Sequence, residues 1–188
     1  MTSIETKPRD LWAATAAGRI ASHAVAHGVP LEESMSERLA ASIPSPVAVE
    51  ELQQQQSLWL AETEDCPFLP EVQLLARRFA LPAGGWEAIS ILADFIYQRY
   101  AFVIAPAGRI EDMLQQKKGT VQDFAHLFIA ILRAGQIPAR LISGEVTDPT
   151  LRGYGGNHTW VEFWLPEVGW VAIDPANNRV VGDGYRQS

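Results

Sequence analysis

The chain has almost no cysteine. Cys66 stands alone among 188 residues, which excludes an intrachain disulfide and any metal site built from several thiolates. Positive charge is scarce too: 15 Lys and Arg face 22 Asp and Glu, for a formal charge of -7. Lys117 and Lys118 are the only adjacent lysines. Nucleic-acid surfaces carry a basic stripe or patch, so no nucleic-acid partner is expected. Long apolar runs are missing, and none approaches the ~20 residues of a membrane span. The Ala-rich stretch "LWAATAAGRIASHAVAHG" carries Arg19, His23 and His27 where a secretory signal needs an unbroken apolar segment. These absences predict a cytoplasmic protein with no membrane partner.

What is present is ordinary globular composition, 47% hydrophobic and 20% charged, in a chain long enough to bury a real core. The first half reads helical. Asp10 is a candidate N-cap for a helix to about Ala26, stopped by Gly28 with Pro30 beyond. Leu31, Met35, Leu39 and Ile43 recur every four residues, and Ser45–Pro46 opens a third candidate helix through "EELQQQQSLWLAET". After "CPFLP", the stretches "EVQLLARRFAL" and "WEAISILADFIYQRYAF" predict two stronger helices separated by "PAGG". A short helix follows at "IEDMLQQ". In "VQDFAHLFIAILRAG", Phe124, Leu127, Phe128, Ile131 and Leu132 fall on one helix face, ending near Gly135.

From Pro138 the period changes. "ARLISGEV", "HTWVEFWL" and "GWVAID" are β-branched or aromatic, are bounded by turn residues and read as strands, with "PEVGW" connecting the last two. Helices followed by strands predict an α+β fold. The working division is a helical extension over residues 1–63 and a main domain over 64–188, packed as one unit.

Three stretches carry chemistry: "GTVQDFAHLF" at a helix start, "NHTWVEFWL", and "GWVAIDPANN". In this order and context the chain resembles the transglutaminase-like superfamily, whose papain-like enzymes place a cysteine at a helix start, a histidine before a Trp-bearing strand and an aspartate in an Asp-Pro turn. The resemblance covers roughly Pro70 to Asn178. It implies an antiparallel sheet packed behind N-terminal helices, with His158 as base and Asp174 as its orienter. It also puts Val121 at the nucleophile's position. Family enzymes use a thiolate there to take an acyl group from an amide, and valine has no lone pair to attack with.

Each residue has a blander reading. His158 could simply bond a backbone carbonyl, and Asp174 before Pro175 would form a turn in any case. Asp123 reads as a first-turn acid complementing the helix dipole, and His126 as a helix-edge or half-buried residue. Thr120 reads as a loop residue or cap. Cys66 reads as a small buried hydrophobe, with a displaced nucleophile folded over the site as the alternative. Trp160, Trp164 and Trp170 read as core or pocket wall.

Without a thiol, the helix start at Thr120–Gln122 would still offer free amides and a positive dipole end, and His158 could still move protons. Thr120, Val121, Gln122 and Trp160 are therefore the expected substrate-binding residues, around an apolar floor suited to a carboxylate or oxyanion. The first functional expectation is non-covalent acid–base chemistry on a small or peptide substrate: cyclisation, elimination, isomerisation or activated acyl hydrolysis. The second is a pseudoenzyme that binds a peptide, protein or small molecule in the same cleft. A deliberate replacement of a native cysteine is a third origin for Val121, although alanine or serine would be the usual choice. Nothing in the sequence points to a metal or an organic cofactor.

Overall fold

The computed structural model describes residues 58–166 and 168–188. The helices expected over 10–26 and 31–43, most of the one expected from Ser45, and most of the 1–63 extension lie outside the described residues. A short 3-10 turn, Leu58–Leu60, opens the described chain. Helices α1 (Pro70–Arg78) and α2 (Gly85–Arg99) follow, with Pro70 in the first turn of α1, where its missing N–H costs nothing. Next come β1 (Ala101–Phe102), α3 (Ile110–Gln116), β2 (Lys118–Gly119) and α4 (Val121–Ala134). Strands β3 (Ala139–Val146), β4 (Asn157–Leu165), β5 (Gly169–Asp174), β6 (Arg179–Val180) and β7 (Tyr185–Gln187) complete the order. The fold is α+β, as expected.

Helix α4 is the axis of the molecule. Every residue from Asp123 to Arg133 is buried, not only the expected stripe, because α1, α2 and α3 lie around it and β3 and β4 behind it. Its last turn is tied down by Arg133. That buried guanidinium donates twice to Ala139 O, at 3.0 and 2.9 Å, and once to Ala61 O at 2.9 Å. One side chain thus joins the helix end, the first residue of β3 and the segment entering the domain.

The five-stranded antiparallel sheet has the order β6-β5-β4-β3-β7, while β1 and β2 form a separate parallel pair. The β6 and β7 strands and the β1–β2 pair were not expected from sequence. Strand alternation sends side chains to opposite faces. Val161, Phe163 and Leu165 of β4 join the main core with α4. His158 and Trp160 alternate with them and point to the other face. There Trp160 pairs with Ile142, His158 with Gly144, and Tyr185 of β7 with Val146. Ile142, Val146 and Trp160 are buried yet stand outside the main core cluster. A second, smaller apolar cluster therefore backs the far face of the sheet, and β7 closes its edge. No helix among the described residues is long and apolar enough to cross a membrane.

Candidate active site

Two segments build the site: the start of α4 and the facing ends of β4 and β5. Thr120 caps α4 from an extended conformation, its Oγ1 accepting from Asp123 N at 3.3 Å while Asp123 Oδ2 accepts from Thr120 N at 2.8 Å. This reciprocal pair is a capping box. The other carboxylate oxygen of Asp123 accepts from Gly108 N at 2.8 Å, so the residue also pins the loop before α3. Asp123 is structural, as expected. The amides expected to be free at 120–122 need correction, because Asp123 takes that of Thr120. Those of Val121 and Gln122 form no hydrogen bond among the described residues, as the first turn of a helix dictates.

His158 and Asp174 meet. Nε2 of His158 lies 2.6 Å from Asp174 Oδ2, and both side chains are 0% exposed. Asp174 is also held by its own turn: Oδ1 accepts from Ala176 N at 2.9 Å and Asn177 N at 3.3 Å. The same carboxylate thus shapes the Asp-Pro turn and bonds His158. Oδ2 further accepts from Asn177 Nδ2 at 2.7 Å and from the Tyr185 hydroxyl at 2.9 Å. Burial first, and then the neighbouring Asp174 charge, push the Tyr185 phenol far above its ordinary range, so it stays a donor. Because an ionised carboxylate only accepts, Nε2 carries the imidazole proton in the neutral ring, and Nδ1 is left with its lone pair.

That lone pair has no partner among the described residues, although Nδ1 is buried. The His158 ring lies 6.4 Å from Trp160 in a stacked arrangement and 6.1 Å from Tyr185 edge-on, and Trp160 and Tyr185 meet at 5.6 Å. On the open side is Gly153: a Cβ added there would overlap Nδ1 and lie 3.1 Å from Val121 Cγ1. Val121, His158 and Gly153 thus converge on one point. The imidazole bonded to Asp174 stands close to the Val121 side chain at the N-terminus of α4.

Of the residues expected to bind substrate, Val121 stands at this point, and Trp160 stacks on the His158 ring. Gln122 sits half-buried on the next helical position. Two other expectations change. His126 is not at a helix edge but buried, 7% exposed. Burial pulls its pKa down, against the opposing pull of Asp65 and Asp123. Cys66 does not fold over the site. Its neighbours are Thr63, Asp65 and Arg133, and Arg133 lies about 18 Å along α4 from Val121 at 1.5 Å per residue. Burial pushes the Cys66 thiol up, away from the thiolate form. Sequence reasoning missed Tyr185, Asn177 and Gly153. Asn177 lay inside the quoted Asp-Pro motif without a role, whereas Tyr185 stands on a three-residue strand too short for any periodic signal. No group of three metal-ligating side chains occurs among the described residues.

Residues 75–175 match the model of the transglutaminase-like superfamily core. An uncharacterized Mycobacterium tuberculosis protein is 32% identical over 108 residues, covering 52% of this chain and 34% of that one. A Pseudomonas aeruginosa protein named protein-glutamine gamma-glutamyltransferase is 30% identical over 98 residues, covering 46% of this chain and 15% of that protein. The chain thus spans about a third or less of the length of these curated relatives. Among solved structures, a candidate cysteine protease of Cytophaga hutchinsonii superposes with a TM-score of 0.59 at 23% identity. The superposition covers 76% of this chain and 48% of that one.

Proposed function

The chain belongs to the transglutaminase-like superfamily, and on that premise we propose that it performs non-covalent acid–base chemistry, with His158 as the proton carrier and Asp174 as its orienter. The observation that carries this reading is the imidazole itself. One nitrogen is fixed on a carboxylate that three further residues hold, and the other is buried with an unused lone pair. Leaving a buried acceptor unpaired costs about 1–3 kcal/mol, and such groups call for an explanation in function.

In this reading Val121 stands where the family nucleophile would be. It offers neither a lone pair nor a proton, so no acyl-enzyme forms. The glutamyl transfer that names the Pseudomonas relative, and peptide cleavage through a thioester, lie outside the proposal. His158 Nδ1 instead takes a proton from the substrate, or in a hydrolysis from the attacking water, and Asp174 stabilises the resulting imidazolium. The amides of Val121 and Gln122 stabilise the oxyanion or enolate that forms, and the proton is then returned to another substrate atom. Such a step supplies about 10²–10⁴-fold acceleration, enough for cyclisation, elimination, isomerisation or hydrolysis of an activated acyl group on a small or peptide substrate. A plain amide needs more.

One observation favours a second reading. Both members of the dyad are fully buried, which also suits a pair retained for structure in a protein that binds a peptide, protein or small molecule in the cleft. Wild type, Val121→Cys and His158→Ala, incubated with activated acyl compounds, amides and enolisable carbonyl compounds, separate the two when products are read by mass spectrometry. Turnover by wild type that His158→Ala abolishes is the expected result. An inert wild type, with an acyl-enzyme appearing only in Val121→Cys, would leave the binding protein as the better account.

A further inference from the structure

The connection between β3 and β4, residues 147–156, lays its backbone on the imidazole. Gly153 has φ +83°, and its approach leaves no room for a Cβ beside Nδ1. Glycine alone allows both the angle and the distance. This contact covers the lone pair on the side where a reacting group would enter.

The covering segment is fastened at one end. Arg152 N donates to Asn177 Oδ1 at 2.8 Å, and Arg152 Nη1 donates to Ala176 O at 3.0 Å. Its guanidinium lies 4.1 Å from the centre of the Tyr97 ring. Asn177 returns a bond from Nδ2 to Arg152 O at 3.2 Å, and the same Nδ2 donates to Asp174 Oδ2 at 2.7 Å. The side chain that fastens the segment therefore also holds the orienting carboxylate. Beyond Gly153 the segment is held only by its own turn, Tyr154 N donating to Leu151 O at 3.3 Å. Tyr154 is 55% exposed, and Gly155 and Gly156 have open space where a Cβ would be. A fixed point followed by permissive backbone is the construction of a hinged cover.

We propose that residues 151–156 are a gate over His158, latched by Arg152 on Asn177, and that the gate opens to let a substrate reach Nδ1. This rests on the acid–base reading insofar as Nδ1 is the atom a substrate must meet. The closed gate keeps water off the base, and opening it releases Asn177 from one of its two duties. Access to the dyad and the hold on its carboxylate are thereby coupled through one amide.

The test is the rate at which diethyl pyrocarbonate modifies His158 near neutral pH, located by peptide mass spectrometry among the four histidines. In wild type His158 is protected. Arg152→Ala raises its rate about tenfold or more, because the cation–π contact with Tyr97 and the side-chain hydrogen bond to Ala176 O are lost together, leaving only the backbone bonds to Asn177 to hold the segment. Tyr97→Leu, which keeps the hydrogen bonds, raises it less. His126 is the folding control: it is buried away from the gate, stays protected in a folded variant, and becomes reactive in one that has unfolded. If Arg152→Ala unfolds, Tyr97→Leu decides the matter. The gate is refuted if wild-type His158 reacts like an exposed histidine. It is equally refuted if neither variant speeds modification while His126 remains protected. The readout is modification, not turnover, so an inert wild type with a gated His158 would sink the acid–base reading alone.

Discussion

At the scale of single residues, the least replaceable contact of the site comes from the side chain with the weakest signature. Tyr185 donates to the same oxygen of Asp174 that holds His158, and its ring packs edge-on against both His158 and Trp160. Tyr185→Phe keeps the ring and removes only the donor. The expected cost is about 1.5 kcal/mol, the range for a hydrogen bond to a charged acceptor. The urea midpoint should fall with it. An unchanged midpoint would mean that the hydroxyl holds nothing. His158 and Asp174 were legible because each stands in a motif whose neighbours repeat a known pattern. Tyr185 was not, because its role comes from the pairing of β7 with β3, which no local spacing announces.

At the scale of elements, the helices from Pro70 onward and the three long strands could be read from periodicity, and the buried face of α4 from its apolar spacing. The complete burial of α4 could not, since it depends on what packs from outside. The short strands escaped for the same reason as Tyr185: two or three residues cannot display a period. Register supplies the prediction here. Gly144 lies opposite His158 on β3, and a Cβ there would overlap Arg186 O on β7 and lie 2.5 Å from Trp160 Cη2. Gly144→Ala should therefore push β7 off the sheet or turn Trp160 away. A loss of about 2 kcal/mol is expected from such overpacking, read as a lower urea midpoint with altered tryptophan fluorescence. A midpoint equal to wild type would show that the edge has slack.

At the scale of the whole molecule, pH acts through a residue outside the site. Burial holds the folded pKa of His126 below its ordinary 6.5, with Asp65 and Asp123 opposing and Arg133 assisting. The unfolded chain then binds more protons than the folded one below about pH 6.5. Stability is greatest above that value and falls as pH drops through the folded pKa. His126→Gln should flatten the fall in urea midpoint between about pH 7.5 and 5.5. If the variant's midpoint falls as steeply as that of wild type, other groups govern the acid side.

The two packed faces of the sheet have a consequence for how this molecule comes apart. The helical core and the small cluster around Trp160 share strands but few side chains, so thermal motion can melt one while sparing the other. The sheet is then a partition: one face stands on the helices, and His158 and Trp160 stand on the other. A lineage built on such a partition can lose a reaction, keep its shape, and acquire another.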